Sequence, residues 1–200
     1  QTRLGVLLCV NGTGILNSWL KHQVAGELDY EEMNATAREI PIGSDGLLMM
    51  PFGNGAERVL NNQEPGAQLL GLNFNRHQQA HLFRAAQEGI VFSFQYGLEI
   101  MAEMGIAPAV IRAGRANMFL SDIFADTLAG LTNTPIELYN TDGAAGAARG
   151  AGLGAGHYAN SSETFEGLTC LKRISPNPDQ QSAWQDAYQQ WKQALERIIS

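Results

Sequence analysis

Three groups of residues in this 200-residue sequence are spaced so that they could do chemistry. His77 and His81 stand four apart at the head of a helical pattern, a spacing that lets two imidazoles share a metal ion. In zinc hydrolases a glutamate directly after the first histidine serves as general base. Gln78 holds that place here and cannot take a proton, so two solvated histidines and no metal are expected. Asn11-Gly12-Thr13-Gly14 and Arg112-Ala113-Gly114-Arg115-Ala116-Asn117 each join an apolar run to a helical pattern. A turn at such a junction presents backbone N–H groups and the positive end of a helix, which suits phosphate. Small residues let a ligand approach the backbone, and Asn117 can cap its helix or hydrogen-bond a base or ribose. Taken alone, each turn reads first as a plain strand–helix connection; it is the occurrence of two in one α/β chain that puts nucleotide binding on an equal footing. The third group, Gly150-Ala-Gly152-Leu-Gly154-Ala-Gly156, has neither the spacing nor the position of a dinucleotide fingerprint. It reads as a helix whose small residues permit close backbone packing. No GxxxxGK[ST] phosphate loop occurs.

The elements that must position these turns follow from periodicity. Residues 3–10 form a continuous apolar run, as a buried strand would, and the position of Cys9 within it argues against a covalent thiol mechanism. Helices are expected over 15–24 and 29–38, the second with two acids in its first turn. Residues 43–46 form a turn and 47–51 a buried strand, and the Gly-, Asn- and Pro-rich stretch 52–72 reads as a long loop. Residues 76–104 form one helix with Leu82, Ala86, Ile90 and Phe94 on one face. A strand over 109–111, a helix over 118–131, a strand over 135–139 and a small-residue helix over 141–157 come next. Asn177-Pro178 starts a terminal helix, taken as 178–199, with Trp184, Tyr188, Trp191, Leu195 and Ile198 along one face. Strands alternating with helices make this an α/β chain of one domain.

Composition sets the outer limits. Thirteen Lys and Arg against 20 Asp and Glu give a net charge of −7, which argues against nucleic acid or an anionic membrane as partner. Apolar residues at 44% with charged residues at 16% exclude intrinsic disorder. Two cysteines fit a reducing, cytoplasmic setting, and no apolar run approaches the roughly 20 residues that span a bilayer. Glycine is unusually frequent at 22 residues. The chain also opens on Gln1 and enters an apolar run at once, as a piece cut from a longer protein would.

Four stretches together resemble the carboxy-terminal domain of the FGGY carbohydrate kinases, the xylulose kinases most of all. Ala67-Gln-Leu69-Leu-Gly71-Leu72, eight residues, then His81-Leu82-Phe-Arg-Ala85-Ala86-Gln87-Glu88 follows that family's second signature, with Gln87 where an apolar residue is expected. Pro51-Phe-Gly-Asn-Gly55-Ala-Glu57-Arg58 is similar to its Pro-Tyr-Leu-x-Gly-Glu-Arg loop with one residue inserted. Residues 110–126 match its glycine turn and following helix, and Asp142-Gly-Ala-Ala-Gly146-Ala147-Ala148 matches its Gly-Ala-Ala helix.

The resemblance implies an actin-like, ribonuclease-H-like ATPase fold: a mixed sheet flanked by helices, with a C-terminal amphipathic helix. It implies ATP and Mg²⁺ as cofactors, and a small sugar bound jointly with an N-terminal domain that this sequence does not include; homodimerisation stays open. Carried over, Gly12, Thr13 and Gly14 would line the phosphates, and Ala113, Gly114 and Asn117 would hold the adenosine. Arg112 and Ala113 replace two family glycines, so a side chain at 112 would narrow the adenine slot or stack in it. The catalytic aspartate is expected upstream, with Asp122 and Asp126 solvated or structural, so these 200 residues alone should not turn over. D-Xylulose is the expected substrate, though glycerol, gluconate, fuculose and rhamnulose kinases share these motifs. A catalytically inactive scaffold or regulatory module is the alternative, favoured by Arg112 and Ala113.

Overall fold

The computed structural model describes residues 5–200. Helix α1 (Thr13–Gln23) is followed by α2 (Tyr30–Arg38). A capping box starts α2: Asp29 accepts the Glu32 N–H at 2.9 Å, and the Glu32 carboxylate accepts the Asp29 N–H at 2.8 Å. Strand β1 (Leu48–Phe52) pairs antiparallel with β2 (Gly66–Leu70), Leu48 facing Leu70 and Phe52 facing Gly66. The 25-residue helix α3 (Gln79–Glu103) lies across this ribbon. Contact is closest at Gly89, where any Cβ would overlap the Met49 carbonyl oxygen.

The second half carries β3 (Ile111–Gly114), α4 (Asp122–Thr132), β4 (Ile136–Tyr139), α5 (Gly143–Gly154), α6 (Ser161–Thr164) and β5 (Cys170–Ile174). These strands form one mixed sheet in the order β3-β4-β5, parallel and then antiparallel. Helix α7 (Gln181–Ile199) buries Trp184, Tyr188, Trp191 and Leu195 along one face. Trp191 stacks on Tyr188 at 6.2 Å between centroids and donates its indole N–H to the Met49 carbonyl at 2.9 Å. A single hydrophobic cluster therefore runs from α1 through α3 and α4 to α7. Among the described residues no helix is long and apolar enough to cross a membrane.

The structure corrects several expectations. Residues 5–10 form no strand, while 3 and 4 lie outside the described residues; Cys9 is exposed, as are Val6 and Leu7. The stretch 52–72 contains β2, and β5 was not foreseen. Helix α5 buries no residue, and Gly143, Gly146, Gly150 and Gly154 have open space beside them; only Gly152 is closely approached, by the Tyr158 ring, so close packing accounts for one of its five glycines. The histidines are not simply solvated. His81 is buried, with Nε2 3.2 Å from the Asp45 carboxylate. His77 accepts the Asn73 N–H at Nδ1, which leaves Nε2–H to donate to the Asp45 carbonyl at 3.3 Å. Together they hold the turn before β1. No group of three metal-ligating side chains occurs among the described residues.

Candidate functional site

The turn before α1 is fixed by a buried carboxylate. Glu57, fully buried, accepts the Asn11 backbone N–H at 2.9 and 3.1 Å, and the Asn11 amide donates to the Ala56 carbonyl at 2.9 Å. Gly12 then passes so close to β1 that a Cβ would overlap the Pro51 carbonyl. The first N–H groups of α1 carry no side-chain cap. An uncapped helix start leaves donors and a positive field for an anion or water.

Five of the six residues expected at a ligand converge. Thr13 and Gly14 from the first turn, and Ala113, Gly114 and Asn117 from the second, line one cavity of about 580 Å³. Turns almost 100 residues apart in sequence thus share one wall. Gly12 is the exception: it is buried and borders a separate, largely apolar cavity of about 500 Å³ beside Trp19. Gly114 is a glycine for packing reasons too, because a Cβ there would overlap the Thr141 carbonyl, whereas Gly14 has open space. Asn117 adopts a left-handed φ of 52°, which asparagine tolerates better than most residues. Asp142 and Gly143, at the start of α5, lie on the same wall, in addition to the residues expected there.

A third cavity, of about 480 Å³, adjoins at Gly14, Asn117 and Met118 and is lined by Asn17, Tyr30, Asn34, Leu120 and Ser121 as well. None of these carries a charge. One signal for it was legible: Asn17 lies three residues after Gly14, on the same helix face.

Arg112 lines the same cavity, while its guanidinium is drawn to the neighbouring strand. It points to the face of β3 opposite Ile111 and Ala113. Its Nε donates to Glu137 at 3.0 Å, directly across the ladder, and Arg173 reaches the same carboxylate at 3.5 Å. Hydrogen bonds from Arg112 and Tyr139 hold the Glu137 carboxyl below the usual carboxylate range.

No family model matches the chain. Individual proteins do. The xylulose kinase of Haemophilus influenzae is 29% identical over 96% of this chain and 39% of its own length. The xylulose kinase of Bacillus subtilis is 30% identical over 82% of this chain and 32% of its own. The solved structure of ligand-bound xylulose kinase from Lactobacillus acidophilus superposes with a TM-score of 0.79 at 22% identity, covering 95% of this chain and 39% of that one. The chain is a relative of the FGGY carbohydrate kinases. It has their actin-like ATPase fold and spans about a third to two-fifths of the length of these relatives. Gluconate and glycerol kinases also match.

Departures from the FGGY pattern acquire reasons here. Gln87, in place of an apolar residue, is almost wholly buried, but its amide is used at both ends: Ser121 donates to its Oε1, and its Nε2 donates to Asn34 at 2.9 Å. Asp122 and Asp126 follow the second turn but line none of the three cavities. Desolvation, then repulsion from Asp122, raises the Asp126 carboxyl. A hydrogen bond from Lys172 at 2.7 Å, helped by the charges of Lys172 and Arg38, holds Asp122 below the usual range. A carboxyl lowered on folding adds stability above its unfolded pKa of about 3.9, which is lost as pH falls through the folded value. The pair is about half exposed, so Asp122→Asn should cost under about 1 kcal/mol at pH 7. Its stability–pH curve should flatten below about pH 4, read by urea denaturation across pH.

Proposed function

We propose that the chain is the nucleotide-side domain of an ATP-dependent sugar kinase. The transfer would carry the γ-phosphoryl group to a ketopentose, D-xylulose before others, giving D-xylulose 5-phosphate. The observation that carries this reading is the convergence of the two glycine turns on one cavity at the uncapped start of α1. The N–H groups at Thr13 and Gly14 would take the phosphates, and Ala113, Gly114 and Asn117 the nucleoside. Asp142 lines the cavity and spends one carboxylate oxygen on the Ala145 N–H at 2.8 Å; its other oxygen would hold a magnesium ion, which needs only one or two carboxylates beside phosphate oxygens and water. When bound, the ion would neutralise charge on the transferring phosphoryl group. Phosphoryl transfer also needs a positioned base. No acid beside this cavity has that role in our reading, so the base, the sugar pocket and turnover belong to a further domain that closes on this one.

The ketopentose is preferred because relatives named xylulose kinase support it, while gluconate and glycerol kinases mark the competing substrates. An inactive scaffold drew its support from Arg112 and Ala113; the Arg112–Glu137 pair gives Arg112 a structural use, and Ala113 adds only a methyl group to the cavity wall.

Calorimetric titration of the chain with Mg·ATP tests the proposal. Asn117→Ala should weaken binding roughly tenfold, the worth of one or two hydrogen bonds. Unchanged affinity would remove Asn117 from the site, and a folded chain that binds no ATP would overturn the reading.

A further inference from the structure

We infer that Glu57 is the positioning residue of the first turn: it clamps Asn11 from behind, so that the N–H groups of Thr13 and Gly14 stay aimed for a polyphosphate. This rests on the nucleotide reading above and adds to it the residue that prepares the turn. Glu57 is fully buried, and both of its carboxylate oxygens accept one backbone N–H, that of Asn11. No cation pairs with it among the described residues. Taking a carboxylate out of water is costly, and an apolar side chain would fill the space at less cost. The direction that Glu57 imposes on Asn11 is the use that accounts for it.

The clamp has three points, all supplied by residues 54–57. Glu57 takes the Asn11 N–H, the Asn54 amide donates to the Asn11 carbonyl at 3.3 Å, and the Ala56 carbonyl takes the Asn11 side-chain amide at 2.9 Å. Each sense is forced, because a backbone N–H can only donate and a backbone carbonyl can only accept. Asn11 therefore cannot turn about its own backbone without breaking one of these bonds. The next residue, Gly12, is stopped on its other side by the Pro51 carbonyl. The loop is anchored in its turn. Glu57 donates its N–H to the Gln63 carbonyl at 2.9 Å, its carbonyl accepts the Asn62 N–H at 2.9 Å, and Gly53 lies against Ala67 of β2. Such a supporting layer keeps donors aimed before a ligand arrives. Ala56 stands between the Gly55 and Glu57 that are adjacent in the FGGY pattern, so the inserted residue and Asn11 are two halves of one contact. Glu57 touches no ligand in this scheme and acts through Asn11.

The test compares calorimetric binding of inorganic tripolyphosphate and of Mg·ATP to the chain and two variants, with urea denaturation as a separate reading of stability. Glu57→Gln keeps the size of the side chain but sets an NH₂ toward the Asn11 N–H. Asn11→Ala removes the contact with Ala56 at a position that is only partly buried, so it carries the test where Glu57→Gln does not fold. Tripolyphosphate binding should weaken about tenfold in Glu57→Gln and about threefold in Asn11→Ala, the scale of one lost hydrogen bond. ATP should weaken by the same factor in each, because the second turn, which takes the nucleoside, is not part of the clamp. A merely structural role would lower the urea midpoint and leave both affinities of the folded protein unchanged. Unchanged tripolyphosphate affinity in a folded variant overturns this inference alone, as does tighter binding by Glu57→Gln once its negative charge is gone. ATP binding without tripolyphosphate binding overturns it too, since the first turn would then hold no anion by itself. A folded, unaltered chain that binds neither ligand overturns the nucleotide reading beneath it.

Discussion

Glu88→Gln should destabilise the fold by about 3–5 kcal/mol, although the side chain scarcely changes shape. Glu88 and Arg84, one turn apart on α3, are both buried and meet at 2.7 Å. Glu88 also accepts the Ser44 hydroxyl at 2.8 Å and the Gly43 N–H at 3.1 Å, while the Arg84 guanidinium lies 5.3 Å from the centre of the Trp184 ring. One carboxylate thus ties α3 to the left-handed turn before β1, and through Arg84 to α7. Burial pushes its carboxyl above the usual range, and the attraction of Arg84 works the other way. The pair is therefore no large net stabiliser compared with apolar residues of the same volume. Removing one partner is different, because glutamine leaves a buried guanidinium without its paired carboxylate and sets an NH₂ against it. Urea denaturation reads the loss. The double variant Arg84→Met, Glu88→Leu should recover most of it, and a single variant that costs under about 1 kcal/mol would refute the account.

Helices were the most legible part of the sequence, because their signals are local. Asp29 with Glu32 announces α2, the apolar stripe announces α3, and the aromatic stripe after Asn177-Pro178 announces α7. Two strands were not legible. Strand β2 begins at Gly66, next to Pro65, and β5 is exposed at four of its five residues, so neither shows the apolar alternation of a half-buried strand. Residues 5–10 erred the other way: an apolar run is necessary for a buried strand but needs a partner, and the described residues offer these none. The candidate site was half legible. Small residues at strand–helix junctions marked both turns, since a turn's chemistry is written in a few adjacent positions. That Asn34, Ser121 and Gln87 meet beside Gly14 depends on how α2, α3 and α4 pack, and no spacing in one chain encodes that.

The glycines of the first turn separate packing from ligand approach, and two substitutions should tell them apart. Gly12→Ala places a methyl group where the Pro51 carbonyl stands. A backbone carbonyl held in the β1–β2 ladder cannot give way as a side-chain tip would, so α1 must move off β1. The expected cost is about 3 kcal/mol, the upper end for overpacked sites. The displaced helix also carries the Thr13 and Gly14 amides away from the second turn, so ATP affinity should fall with stability. Gly14→Ala is opposite in sign. It lies inside α1 with nothing within 4 Å, and alanine in place of a helical glycine gains up to about 1 kcal/mol. If Gly14 is glycine so that a phosphate can approach, this more stable protein should bind ATP more weakly. A thermal melt and an ATP titration on each variant decide the matter. Tighter or unchanged ATP binding by Gly14→Ala would mean that the ligand does not pass over Gly14, and a stable Gly12→Ala would mean that the contact between α1 and β1 is looser than described. The amino-terminal turn would then be assigned by what it costs to fill: structural at Gly12, and open for a ligand two residues later.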